Sequence, residues 1–448
     1  MGLTSLPTEL LLEILSQVRR RDLKKLCEVS KSFYNFTVPI LYKSVGLEVE
    51  DEYSMEEVNM ELLLRPRRQP QDVLHFTEDF FIAASFHSLI EQRCWNYWGS
   101  KPLERTTNNS DDDGDYIENM AKKLIYVLER FKDGQLRSFS WELGVCIPAR
   151  LLGDSGYLTI RQNRVEAIRL ITDSSCGHEF HDPPALKSFQ ALKNLSWVGL
   201  CMQDEFEALR DTLIQRSDQL QELELDLIDW YGAVNNAWDD EVSENFFGEH
   251  VLGISYDDTR CILPSLRVLS LSEIAFHPFE KEIACAFGSS RLRSLKLRFC
   301  YGWEGFLAHM KDLNSQIGIK SLEVQYSSKY ECDAYEYPTY DGEHPLLAFI
   351  RAFDGLEELF ISTGTPSNTL DIWKAALSHK STLKRLVHHQ REFNADVEFA
   401  DFLGDGNSKN FSLDSGDPRM LMQDPLRYPL ASFNLECFGI CCEPKYLV

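Results

Sequence analysis

Along the first forty-odd residues apolar side chains fall at helical spacing; farther on, a short alternating phrase returns again and again. Leu10, Leu11, Ile14, Leu15 and Val18 line one face of a first helix. Pro7 suits its first position, and Glu9 its first turn, where the helix dipole favours an acid. Asp22 is placed to cap a second helix carrying Leu23, Leu26 and Cys27. Ser30 is placed to cap a third bearing Phe33 and Phe36, with Pro39 helping to end it before Leu41 and Tyr42. Three helices this short enclose little apolar area, so the unit needs a partner surface or the rest of the chain to hold it.

The alternating phrase reads LxxLxL and is met, with conservative apolar swaps, at 136–141, 165–170, 192–197, 220–225, 266–271, 292–297, 319–324, 356–361 and 383–388. Its central residues are Phe139, Ile168, Leu195, Leu223, Leu269, Leu295, Leu322, Leu359 and Leu386, giving spacings of 29, 27, 28, 46, 26, 27, 37 and 27. Six of these lie between 26 and 29, and the other two equal one repeat plus an insertion, which is a leucine-rich-repeat signature. Between phrases the period lengthens, predicting helices over 117–131, 204–216, 278–287, 303–313, 345–353 and 370–377. Such a unit cannot bury its own apolar face, so neighbours must stack.

The predicted fold is therefore α/β: a three-helix domain over 3–46, then a repeat solenoid over 47–448. Its strands form a parallel sheet on the concave face, with central residues inward and helices on the convex face. Tandem globular domains are the alternative. Residues 73–76 read as an earlier, degenerate strand and 45–47 as a cap on the array. Three insertions break the rhythm: an acidic loop at 106–115, and aromatic-rich segments at 230–259 and 327–344, of the kind that more often carry function. The apolar run at 433–442 lies close to Val448, where a polar cap is expected, so the chain reads as a truncated product.

The opening segment carries a more specific pattern: LPxELLxxIL from Leu6, DL at Asp22-Leu23, VSKxF from Val29 to Phe33, and PxLY from Pro39 to Tyr42. It resembles an F-box, departing at Phe33, where many members have tryptophan. With the repeats included, nearly the whole chain resembles fungal-type F-box proteins with divergent leucine-rich repeats, although its asparagine-poor phrase departs from the strict consensus. The resemblance implies docking on a Skp-type adaptor and, through it, a cullin. The chain would then be the substrate-recognition subunit of an SCF-type ubiquitin ligase. The implied adaptor-binding residues are Leu6, Pro7, Leu10, Ile14, Leu15, Leu23, Val29 and Phe33, divided between contact and internal core, with Leu6 and Pro7 foremost for contact. A repeat scaffold using the F-box without ubiquitylation is the alternative.

Charge bears on partners. The net charge is −24; residues 1–46 hold seven Lys/Arg against four Asp/Glu, or +3, leaving −27 for the remainder. An acidic remainder argues against non-specific nucleic-acid binding, which needs cations to displace counterions. A mildly basic F-box suits an acidic adaptor, which the resemblance implies. No signal core or membrane-length apolar run is present, and the myristoylation pattern fails, so the expected setting is cytosol or nucleus without membrane attachment. The twelve cysteines show no CxxC pair and mostly neighbour apolar runs.

Candidate chemistry is thin. Asn109–Gly114 imitates a calcium loop, but Met120 stands where a bidentate glutamate is needed. Cys176, His178 and His181 lack the second half of a zinc site. No nucleophile elbow, phosphate-cradling loop or metalloprotease motif occurs, so no enzyme activity, metal or cofactor is expected. With central residues inward, Glu142, Arg169, Glu222, Glu224, Asp226, Lys296, Arg298, Glu323, Glu358 and Arg385 point to the open face. Glu222, Glu224 and Asp226 share one strand and precede Trp230 and Tyr231, a set suited to a basic protein target.

Overall fold

A computed structural model describes residues 6–49, 60, 63, 72–84, 116–174, 183–228, 230, 233–234, 245–313, 317–326, 343–363, 369–390 and 429–440. The chain forms two compact units, Met1–Thr212 and Leu213–Val448, with the boundary inside a helix that spans Gln203–Gln215.

The first unit opens with α1 (Thr8–Ser16), α2 (Arg20–Val29) and α3 (Lys31–Leu41). Pro7 stands just before α1 rather than within it, and its carbonyl accepts the Leu11 N–H at 3.0 Å. Arg19, not Asp22, precedes α2; Asp22 lies in the first turn, where the dipole still favours it. Ser30 caps α3 as expected, its hydroxyl accepting the Phe33 N–H at 3.2 Å. Pro39 lies inside α3 near its end, where one missing N–H leaves the helix free to run two residues further.

Five strands follow in chain order, each parallel to the last: β1 (Ser44–Val49), β2 (Asp79–Ala84), β3 (Ser138–Glu142), β4 (Ala167–Ile171) and β5 (Asn194–Val198). Residues 45–47 belong to β1, which pairs with β2. The strand expected at Val73–Phe76 is instead a 3-10 turn, held by Asp72, whose carboxylate accepts the Leu74 N–H and pairs with Arg130. The strand begins three residues later. The helices are α4 (Tyr116–Leu128), α5 (Ala149–Leu152), α6 (Tyr157–Arg161) and α7 (Gln203–Gln215).

The second unit contains seven parallel strands, again in chain order: β6 (Glu222–Asp226), β7 (Val268–Ser272), β8 (Ser294–Arg298), β9 (Ser321–Tyr326), β10 (Glu358–Thr363), β11 (Arg385–Gln390) and β12 (Cys437–Ile440). Its helices are α8 (Glu280–Phe287), α9 (Trp303–Asp312), α10 (Pro345–Arg351) and α11 (Thr369–Ala376).

Register lines the central residues into columns. Phe80, Phe139, Ile168 and Leu195 align in the first unit, and Leu223, Leu269, Leu295, Leu322, Leu359 and Leu386 in the second, all buried. Two residues on, Trp141 and Trp197 bury their indoles but keep their N–H groups bonded, to the Val145 carbonyl at 2.8 Å and the Thr172 hydroxyl at 3.0 Å.

A second device joins the repeats. The residue just before most strands offers its carbonyl to two N–H groups of the next repeat. Arg267 accepts from Arg293 (2.8 Å) and Ser294 (3.0 Å), and Glu357 accepts from Lys384 (2.8 Å) and Arg385 (3.1 Å). Buried polar side chains seal some of these joints: Gln162 Oε1 accepts the Leu136 N–H, and His379 Nδ1 accepts the Leu356 N–H while Nε2 bonds the Ile350 carbonyl. Leaving a strand needs a sharp turn, and Gly199 takes it at φ +89°; a Cβ there would lie 2.2 Å from the Thr172 carbonyl oxygen.

His388 is the exception in its column. It aligns with Ile361, is fully buried, and neither ring nitrogen has a hydrogen-bond partner among the described residues. Burial pushes its pKa down to about 4, with His389 adding to the effect. The folded protein therefore holds it neutral, while the unfolded chain takes up a proton below the ordinary value of 6.5. Stability should fall as pH drops from about 6.5 to about 4, by up to roughly 3 kcal/mol. His388→Leu should raise the Tm and flatten that part of the pH profile, as read by thermal denaturation. Leu295→Asp, by contrast, buries an unpaired charge and should unfold its neighbouring repeats at neutral pH, seen as lost exchange protection across β7–β9.

Candidate functional site

On α1 the apolar residues exceed what one buried stripe requires. Leu11 and Leu15, four residues apart, face inward with Leu23 and Leu41 to form a small core. Val18, Leu26, Cys27, Phe33, Phe36, Ile40 and Tyr42 pack around it. Leu10 and Ile14, also four apart, lie on the outer side and are 49% and 44% exposed. Leu6 and Leu12 are exposed as well, and Val29 at the end of α2 is 65% exposed. A helix apolar on two sides carries more apolar surface than its own domain covers.

The residues expected to serve adaptor binding fall into two groups. Leu6, Pro7, Leu10, Ile14 and Val29 are exposed, Leu15 and Leu23 are sealed in the core, and Phe33 is half-buried against it. Leu12, 38% exposed, joins the outer group although the motif reading passed over it. Its signal was present in the unbroken Leu10-Leu11-Leu12 run, which is wider than a single helical stripe.

On the open sheet face, Glu222 is exposed, while Glu224 and Asp226 are both half-buried. One Asp226 carboxylate oxygen accepts the Ile228 N–H at 2.9 Å. Burial raises the Asp226 pKa; the bonds from Ile228 and the Ser272 hydroxyl, and the charge of Arg298, only partly offset this. Asp226 therefore holds its own turn, where Ile228 adopts a left-handed φ of +65° that β-branched residues rarely tolerate. Trp230 is half-buried, its ring edge-on to the buried Phe246 at 5.5 Å. Tyr231 lies outside the described residues, as do 106–115, 175–182 with Cys176, His178 and His181, and 327–342.

Across the face, Glu224 aligns with Ser270, Lys296 and Glu323, and Asp226 with Ser272, Arg298 and Gln325. The Arg298 guanidinium bonds Glu323 at 2.6 Å, and Arg385 pairs with Glu358 at 2.9 Å. Much of the face is thus internally compensated. Glu222, exposed at the start of β6, is the most open of the three β6 acids.

Among the described residues no group of three or more His, Cys, Asp or Glu could hold a metal ion, and no helix is long and apolar enough to cross a membrane. Cys146, Cys201, Cys285 and Cys300 are buried, but Cys261 and Cys437 are exposed rather than packed in apolar runs. Burial pushes the Cys300 thiol well up, disfavouring the reactive thiolate.

Residues 3–48 match the F-box-like family model, which covers all three helices and nearly the whole of β1. No curated protein matches the chain. The match falls on the segment whose outer apolar face is uncovered, and F-box domains generally bind Skp-type adaptors.

The turn at Asp226 gives a direct check. Asp226→Ala should cost about 1–3 kcal/mol by leaving the Ile228 N–H without its acceptor, whereas Asp226→Asn should retain most of the stability, as measured by urea denaturation.

Proposed function

We propose that the chain is the substrate-recognition subunit of a Skp-cullin-F-box ubiquitin ligase. The observation that carries this reading is the exposed apolar stripe of Leu6, Leu10, Ile14 and Val29 within the segment matched as F-box-like. Covering those side chains with an adaptor removes apolar area from water, and Leu15 and Leu23 keep the helices rigid enough to present it. The parallel strands with aligned inward columns are read as a leucine-rich-repeat solenoid that binds the target. Glu222 and Glu224 offer it a negative edge suited to a basic segment.

No catalytic group is required of this chain under the proposal. Holding a target beside a ubiquitin-charged enzyme raises the local concentration of its lysines, and that alone accelerates transfer. Cullin recruitment, ubiquitylation and a cytoplasmic or nuclear location belong to the same proposal. A scaffold that binds the adaptor without ubiquitylation would share every feature of the F-box and differ only in its products.

Two measurements test the reading. Leu10→Asp/Ile14→Asp should abolish co-purification of the Skp-type adaptor while leaving the Tm within a few degrees of wild type, because neither side chain belongs to the buried core. Leu15→Ala should instead destabilise the domain by about 2–5 kcal/mol. Complexes of the wild-type chain with adaptor and cullin should form ubiquitin chains on a co-purified protein, and the double variant should not. An intact complex that makes no chains would favour the scaffold.

A further inference from the structure

The position just before each strand carries a charge pattern of its own. In the first unit it reads Lys43, Glu78, Arg137, Glu166 and Lys193, strictly alternating in sign. Neighbours at this position meet: Lys43 and Glu78 at 3.3 Å, Arg137 and Glu166 at 3.7 Å, Glu166 and Lys193 at 2.6 Å. In the second unit the later positions alternate too, with Glu357 between Lys320 at 3.4 Å and Lys384 at 2.7 Å, and Glu436 beyond. The rule breaks at β7–β9, where Arg267, Arg293 and Lys320 follow one another without an acid.

Successive strands stand about 4.8 Å apart, so three cations lie within about 10 Å along one sheet edge. Directly opposed like charges oppose sheet formation, which makes the run a cost within the fold. Arg291 adds a fourth exposed cation; among the described residues its guanidinium reaches only the Ser265 hydroxyl, at 3.4 Å. Arg293 donates to the carbonyls of Ser290, Leu292 and Gly318, which leaves its charge uncompensated. Among the described residues neither Arg267, Arg291 nor Arg293 forms an ion pair with a carboxylate.

We propose that Arg267, Arg291 and Arg293, flanked by Lys320, form a docking edge for an acidic segment of a partner protein. The edge offers three arginines that have no carboxylate partner among the described residues, beside Lys320, which Glu357 already pairs. A nucleic acid is the less fitting polyanion, because the chain's net charge of −24 would repel a long phosphate backbone on approach. The inference does not depend on the F-box reading: a scaffold or a ligase subunit could use the same edge.

The test uses the full chain and a fluorescein-labelled peptide carrying four consecutive glutamates, followed by fluorescence anisotropy across a salt series. The peptide should bind at low salt and weaken as salt rises, and a glutamine version should not bind. Arg267→Glu/Arg291→Glu should weaken binding roughly tenfold or more, with the Tm unchanged or raised because a like-charge contact has been relieved. Adaptor co-purification should be unaffected, which separates this result from any failure of the ligase reading. Unchanged binding in the double variant, no binding by wild type at low salt, equal binding of the glutamine peptide, or equal binding of an oligonucleotide of matching charge would each overturn the proposal.

Discussion

Neither unit contains a repeat that can bury its own inward side chains. Phe139 is covered because Phe80 and Ile168 stand beside it in register, and Leu295 because Leu269 and Leu322 do. Each such side chain gains about 1.5–3 kcal/mol from leaving water, but only when its neighbour is present. The carbonyl shared between one repeat and two N–H groups of the next fixes that register, since slipping one residue would turn every inward side chain to solvent. The consequences follow from this constraint. Indoles are accepted in the columns because their N–H groups find acceptors, and His388 is acid-sensitive because its nitrogens find none among the described residues.

The F-box segment works by a different balance. Its core is four fully buried leucines with a half-buried surround, while as many apolar side chains again remain in water on α1 and α2. A repeat array solves its burial problem internally. This domain leaves part of the problem open.

Much of the fold was legible because period and spacing are direct records of geometry. The LxxLxL phrases fall on strands, their central residues are buried, and the helices stand where the period lengthened. The errors came from local choices that sequence weighs poorly. Val73–Phe76 had the apolar character of a strand but became a 3-10 turn once Asp72 accepted its N–H and paired with Arg130, 58 residues away. Asp22 looked like a cap, yet the helix began earlier at Arg20.

The site was less legible, because exposure belongs to packing rather than to pattern. Motif matching selected Leu10 and Leu15 alike, and only the packed helices separate the outer from the inner. Asp226 looked like a ligand-facing acid until its bond to the Ile228 N–H assigned it to a turn. The break in charge alternation at Arg267, Arg293 and Lys320 was written in the sequence, but it has meaning only once the strands are known to stand side by side.

Under the proposed function, the outer face of α1 and α2 stays uncovered until a Skp-type adaptor covers it. Hydrogen exchange of the full chain, alone and with the adaptor, tests this most directly. Exchange across residues 6–29 should slow markedly on adding the adaptor, with β7 and β8 unchanged. Unaltered exchange in 6–29, or protection appearing in the repeat strands instead, would contradict it.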